Sequence, residues 1–262
     1  MRQRLPVVAT IAAAYREWWR TCSALPMLVF SAFIILLAAA AVSDFIPQRF
    51  WDQGPLGEIL SLAQQAIRSV LLAPILIGIH RFVILNEPAR GYAFPASEPA
   101  FWTFVAWLFG LDVLTGLPID LLGGMQELNV PVWTSTFIFI VLLAAAVIVA
   151  LGLSILLPAI AVDAPGAKPA LALADTRGYA LRMLAITVLA VIPWLAVSAI
   201  GTWLIGRRID VVGSFPAMVG LLMTGALQTI SLSLLAVIIS LVFVALGAKT
   251  KRSIAPSARA GV

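Results

Sequence analysis

Six continuous apolar stretches divide the chain, at about residues 23–42, 59–85, 101–122, 132–157, 183–205 and 217–247. Each is long enough to cross about 30 Å of hydrocarbon as a helix, which takes roughly 20 residues. The stretches are continuously apolar rather than alternating, which argues against the strands of a membrane barrel. The sequence therefore predicts an all-α, polytopic membrane helical bundle of six transmembrane helices.

The composition agrees with a membrane protein and excludes several other classes. Of the 262 residues, 62% are apolar and only 11% are charged, too few charges for an ordinary water-soluble surface. The single cysteine excludes an intramolecular disulfide, and the single histidine argues against a histidine metal cage. We predict one transmembrane domain over residues 1–250 and a disordered cytoplasmic tail over 251–262, with no cofactor.

The placement of the basic residues predicts the orientation in the membrane. With the N-terminus inside, 13 of the 17 Lys and Arg residues fall in or beside the inner segments, and three fall in the outer loops. Cytoplasmic segments carry such an excess in membrane proteins. We therefore predict a bacterial inner-membrane protein with both termini in the cytoplasm. Because the net charge of +5 is explained in this way, nucleic acid is not expected as a partner.

Two stretches outside the spans have the pattern of helices that lie on the inner membrane surface. In the first, five apolar or aromatic residues fall on one helical face: Val8, Ile11, Tyr15, Trp18 and Cys22. The second covers about 166–181, where Lys168, Asp175 and Arg182 repeat every seven residues and form a polar face. We predict an interfacial helix at each place.

Polar side chains at membrane depth form the first candidate site. Arg68 and Asp112 each lie about ten residues from the outer end of their span, roughly 15 Å deep. A lone charge there costs about 2.5–3.5 kcal/mol, so we expect the two to pair, with Gln228 at the same level. Gln64 and Gln65 could satisfy the remaining guanidinium protons. The group either lines an ion or solute path or holds helices together.

Basic residues at the inner ends of the spans form a second candidate site. His80 and Arg81 end the second span, Arg90 follows it, and Arg177 and Arg182 precede the fifth. Arginine is well suited to phosphate, so these residues could bind anionic lipid headgroups of the cytoplasmic leaflet. The alternative is that they are ordinary topology charges whose side chains reach the membrane surface.

Prolines and small residues mark the predicted spans. Prolines lie within five of them and can kink a membrane helix, as in the broken helices of transporters, although they are also common in membrane helices generally: Pro26, Pro74, Pro118, Pro158 and Pro193. The sixth span has a stripe of small residues that permits close packing within the chain or, alternatively, a homo-oligomer or another membrane-protein partner: Gly225, Thr229, Ser233, Ala236 and Ser240.

One stretch carries a family resemblance. It runs Leu157-Pro158-Ala159-Ile160-Ala161-Val162-Asp163, followed by Ala172, Asp175-Thr176-Arg177-Gly178 and Arg182. It resembles an uncharacterised group of six-span bacterial inner-membrane proteins, related to the membrane domain attached to some glycerophosphodiester phosphodiesterases. The chain departs from that pattern in having Tyr179 where a tryptophan is expected, and no phosphodiesterase domain follows. The resemblance implies fold and location, and it transfers no catalytic residue.

Known enzyme motifs are absent: there is no P-loop, no His-Glu-x-x-His, no Cys-x-x-Cys and no Gly-x-Ser-x-Gly. We therefore expect no catalysis. The leading hypothesis is a non-enzymatic membrane module that organises lipids or partner proteins. The alternative is a transporter or channel component with its polar site at Arg68 and Asp112.

Overall fold

A computed structural model describes residues 6–45, 55–89, 91–128, 130–206, 215–247 and 250. The described residues are almost entirely helical and include no strand. The helices are α1 (Val7–Ala24), α2 (Pro26–Phe45), α3 (Pro55–Leu85), α4 (Pro99–Glu127), α5 (Val132–Ser154), α6 (Leu156–Ala161), α7 (Pro169–Thr176), α8 (Ala180–Gly206) and α9 (Phe215–Leu246). Arg90 and the tail predicted at 251–262 lie outside the described residues.

The helices confirm a multi-pass membrane protein. Within the described part of the chain, five segments are long and apolar enough to cross a membrane: α3, α4, α5 with α6, α8 and α9. A sixth follows if α1 and α2, which are bent by 95° at Leu25, count together as one broken span. The count of six and the surface position of α1 remain predictions.

The fourth predicted span is broken near its end. Pro158 has no N–H to donate to the Ser154 carbonyl, and α5 ends at Ser154. The chain continues as α6, in which all six residues are buried. This short helix packs against α3, α4 and α9. The last part of this apolar span therefore lies in the interior of the bundle.

Five helices form a closed ring. In the order α3, α4, α5, α8 and α9, each packs against the next, and α9 packs back against α3. Helix α2 lies on the seam between α3 and α9, and α1 packs across α8 and α9. Within α1, the residues predicted to share the apolar face at its centre do pack against the core: Ile11, Tyr15 and Trp18.

The two ends of the ring are packed differently. At one end, Leu72–Phe82 of α3, Phe101–Val105 of α4 and the whole of α6 supply much of the buried core. We call this the closed end. At the opposite end, where α3 begins and α4 ends, large apolar side chains such as Ile59 and Ile119 are exposed. We call this the open end. The closed end is the side predicted to be cytoplasmic.

The helix predicted over 166–181 is shorter than expected. Only Pro169–Thr176 is helical, because Gly178 adopts a φ of +84° and a turn precedes α8. Asp175, expected on a polar face, is buried, and its Oδ2 accepts hydrogen bonds from the backbone N–H and the hydroxyl of Thr250 (3.0 and 3.1 Å). The short helix is thus tied to the segment that follows α9.

Candidate functional site

Arg68 and Asp112 form an ion pair between α3 and α4. The Nη2 atom of Arg68 donates a hydrogen bond to Oδ2 of Asp112, as their common depth in the sequence predicts. On α4, the Thr115 hydroxyl donates to the carbonyls of Leu111 and Asp112 (3.0 and 3.1 Å), so it does not compete for the carboxylate. The pair neutralises two charges that would be costly apart at this depth.

Arg68 lies on the face of α3 that is turned to α4, where it reaches Asp112. Ile75 and Ile79 follow it by seven and eleven residues, close to two and three whole helical turns, and each is 1% exposed. The Arg68 side chain is nevertheless 35% exposed. The face that is fully covered at the closed end is therefore only partly covered at the level of Arg68.

The same change occurs on α4. Phe101 and Val105 precede Asp112 by eleven and seven residues, so the three share one face, and the two apolar residues are buried. The Asp112 side chain is 34% exposed. On two neighbouring helices of the ring, α3 and α4, the side chains are therefore buried at the closed end and partly exposed at the level of the ion pair.

Gln228 of α9 is exposed and is not joined to the pair. Ile239 and Leu246 follow it by eleven and eighteen residues and are buried, whereas Gln228 and Thr224 are exposed. Among the described residues, no hydrogen bond links Gln228 to Arg68 or Asp112. The predicted cluster is therefore an ion pair, with a separate exposed amide on a third helix.

The two glutamines beside Arg68 do not act as predicted. Gln64 Nε2 donates to the Ala39 carbonyl of α2 (3.1 Å), so this side chain links two helices. The Oε1 atom of Gln65 is buried and has no hydrogen-bond partner among the described residues. An unpaired amide oxygen one turn from Arg68 is costly unless something donates to it.

Tyr92 is a residue of this region that the sequence did not single out. Its hydroxyl donates to the carbonyl of Leu71 (3.0 Å), one turn along α3 from Arg68. Pro74 leaves the neighbouring Val70 carbonyl without a helical donor and disturbs α3 at this point. Partial burial raises the pKa of the Tyr92 phenol above its ordinary value of 10.0, so the hydroxyl keeps its proton at neutral pH.

The residues predicted to bind lipid headgroups are not brought together as one patch. His80 is 1% exposed, and its Nδ1 shares a hydrogen bond with the Ser240 hydroxyl of α9 (2.7 Å). The ring therefore faces the interior and cannot present itself to a headgroup in this structure. The sequence placed it at the end of a span but gave no sign of which way it points.

Arg81 is engaged by protein groups. It pairs with Glu87 (2.8 Å) and Asp163 (3.4 Å), and it donates to the Ala161 carbonyl at the end of α6 (3.2 Å). A cation at a helix C-terminus is favourable, so Arg81 holds α6 in place. Arg177 and Arg182 are exposed, and the Arg182 guanidinium lies 5.9 Å from the ring centre of Tyr179.

Metal and family comparisons add no further site. Among the described residues, no three His, Cys, Asp or Glu side chains lie together in a way that could hold a metal ion. No family model matches the chain, and neither a curated protein nor a solved structure matches it. The resemblance to the phosphodiesterase-linked membrane domain stays a prediction.

Proposed function

We propose that this protein is a transporter or channel component whose polar site is the Arg68–Asp112 pair. The observation that supports the proposal is the partial exposure of the ion pair, 35% for Arg68 and 34% for Asp112, on two neighbouring helices that are buried at the closed end. On α3 and α4, the residues at the closed end are apolar and buried, and the partly exposed charges of Arg68 and Asp112 follow towards the open end. This arrangement suits a water-filled entrance that leads from the open end to the middle of the membrane.

The chemistry of the pair fits reversible binding. A guanidinium has five N–H donors, and the contact with Asp112 uses only part of them. A solute with a carboxylate or phosphate group could take the place of Asp112, and the released carboxylate could bind a cationic group. The unpaired Gln65 oxygen offers an acceptor one turn away. The site therefore favours small charged or zwitterionic solutes.

The excess of basic residues supports an orientation with the closed end in the cytoplasm and the open end outside, in a bacterial inner membrane. Fusing the C-terminus to reporters that are active only in the cytosol or only in the periplasm tests this orientation. We expect activity from the cytosolic reporter alone. A periplasmic signal would overturn the orientation.

Cysteine labelling tests the entrance. In a Cys22→Ser background, which removes the one natural thiol, Gln228→Cys should react with a charged, membrane-impermeant thiol reagent added from the open end. Ile239→Cys is a matched control, because it lies on the same face of α9 but is 8% exposed. Ile140→Cys is 57% exposed on the opposite side of α5 from Ser135 and Ala146, where lipid should protect it. If Gln228→Cys fails to react with reagent added from the open end, the entrance does not exist.

A non-enzymatic membrane module that organises lipids or partner proteins is the second candidate. It is favoured by the direct contact between Arg68 and Asp112, which is what a purely structural pair would show. In that case the pair fastens α3 to α4, and Gln228 faces lipid or another protein. The labelling experiment separates the two functions, because only the first requires water beside Gln228.

A further inference from the structure

A groove of about 360 Å³ lies where α1 joins α2, between the first turns of α2 and the middle of α9. The chain bends by 95° at this joint, so α1 crosses the end of α2 instead of continuing it. Cys22 of α1, Val29 and Phe33 of α2 and Ala226 of α9 are among the residues that line the groove. Phe30 belongs to the same lining and is 60% exposed, so the groove opens to the side.

The groove is limited along α2 and is apolar inside. It begins beside Cys22, in the last turn of α1. One turn beyond Phe33, Leu37 packs against Gly225, with its Cβ 3.3 Å from where a glycine Cβ would be. The one hydroxyl in the lining, that of Thr229, donates to the Gly225 carbonyl (2.7 Å). The groove therefore suits a single hydrocarbon chain better than a polar solute.

A stripe of three residues leads from the groove to the exposed face of α1. Arg16, Trp19 and Cys22 are spaced by three residues, so each lies about 60° around the helix from the next. Trp19 is 69% exposed, and Arg16 is exposed as well. Tryptophan is typical of the boundary between lipid tails and headgroups. The order along the stripe, from thiol to indole to guanidinium, matches the order of a phospholipid from tail to headgroup.

The guanidinium of Arg16 is available to an anion. Within the part of the chain that the structure describes, it takes part in no ion pair or hydrogen bond, whereas Arg20 is paired with Glu17 (2.5 Å). The Arg20 guanidinium also lies 5.0 Å from the ring centre of Phe82, close to the end of α3. The charged face of α1 is therefore at the level where α3 ends, which is where lipid headgroups are expected.

We propose that α1, α2 and α9 form a binding site for one anionic phospholipid, with its phosphate at Arg16 and one acyl chain in the groove. A guanidinium suits phosphate, and the apolar lining suits the chain. A ligand with one charged and one apolar end fits this combination better than an apolar helix of another protein. The site is separate from the Arg68–Asp112 pair and does not depend on the proposed function.

Native mass spectrometry of the full chain in detergent tests the headgroup contact. Phosphatidylglycerol should bind about fivefold more tightly than phosphatidylcholine with the same acyl chains, the factor that one basic residue contributes near an anionic group. Arg16→Gln should abolish this preference, and Arg16→Lys, which keeps the charge, should retain it. Arg182→Gln is a matched control, because Arg182 is also exposed but lies on α8. Equal binding of the two lipids, or a preference that survives in Arg16→Gln, would overturn the proposal.

The single cysteine of the chain tests the groove. Added phosphatidylglycerol should slow the reaction of Cys22 with N-ethylmaleimide, because the acyl chain would cover the thiol. Soluble glycerol phosphate at the same concentration should leave the rate unchanged, because it has no chain. A rate that the lipid does not alter, or that glycerol phosphate lowers equally, would contradict the acyl-chain site. A rate that falls with protein concentration instead would show that a second copy covers the groove and would overturn the assignment to lipid.

Discussion

The hydroxyl of Tyr15 in α1 donates to the carbonyl of Ala190 in α8, at 2.7 Å and across 175 positions of sequence. Ala190 directly follows Leu189, whose carbonyl lacks its helical donor because Pro193 has no N–H. Tyr92 bonds to α3 in the same way, since Leu71 directly follows the carbonyl that Pro74 leaves free. Two tyrosines from elsewhere in the chain thus bond to proline-disturbed helices.

Tyr15→Phe should lower the stability of the protein in detergent by about 0.5–1.5 kcal/mol, the net value of a hydrogen bond. The ring would still contact Trp18 edge to face, so only the hydroxyl is tested. Thermal unfolding followed by circular dichroism measures the change. Thr10→Val is a control, because the Thr10 hydroxyl bonds within α1 at an exposed position. Equal loss in both variants would contradict a special role for the link between α1 and α8.

Arg68 and Asp112 should be coupled energetically. Arg68→Ala and Asp112→Ala each leave one charge without its partner, so each should destabilise the protein by about 1–3 kcal/mol. The double variant should lose less than the sum of the two, with a coupling of roughly 0.5–3 kcal/mol. Chemical denaturation of the unaltered protein, the two single variants and the double variant completes this double-mutant cycle. Strict additivity would show that the contact contributes nothing to stability.

Ser240→Ala should destabilise the closed end by about 1–3 kcal/mol, because it leaves the buried His80 ring without its partner on α9. Ser31→Ala is a matched control. Like Ser240, Ser31 donates to the carbonyl four residues earlier, but it is not buried and holds no second side chain. Thermal unfolding should separate the two variants. If Ser31→Ala lowers stability as much as Ser240→Ala does, the hydrogen bond to His80 makes no measurable contribution to stability.

Gly166→Ala should lower stability by about 1–3 kcal/mol, because a Cβ at this position would collide with the backbone of Thr250, 2.8 Å from its carbonyl carbon. The clash should detach Thr250 from Asp175 and expose the end of α9 to protease. Gly110→Ala adds a methyl group in open space within α4 and should gain about 0.5–1 kcal/mol. Limited proteolysis and thermal unfolding check both. Unchanged protease resistance in Gly166→Ala would contradict this docking.

The sequence was most informative where one physical rule dominates. Apolar length located the five helices that are long enough to cross a membrane, and the cost of isolated charges at depth paired Arg68 with Asp112. The small-residue stripe of α9 is buried and packs within the chain, for example Gly225 against Leu37 of α2. The break before α6 follows from Pro158, although the sequence did not show that α6 would be buried completely.

The sequence was least informative about direction. Depth alone placed Gln228 beside the pair, but depth does not say which face of a helix a residue occupies. His80 was assigned to a membrane surface because it ends a span, whereas it points inward to Ser240. The course of the chain between α3 and α4 was missed because two prolines and few apolar residues indicate an ordinary loop. The contacts that hold it depend on chain reversal at Asn86, which composition does not reveal.

The return of this connection along α3 affects how the topology of the protein can be mapped. A hydropathy plot draws thirteen residues between two spans as a cytoplasmic excursion, a natural place for an epitope tag or a protease site. Here Ala89 lies beside Gly78 and Tyr92 bonds to Leu71, both on α3, so an insertion nearby would displace Tyr92 and disturb the neighbouring helices. If such a tag could not be detected, the cause would be its burial in the protein. The result would not identify the side of the membrane on which the connection lies.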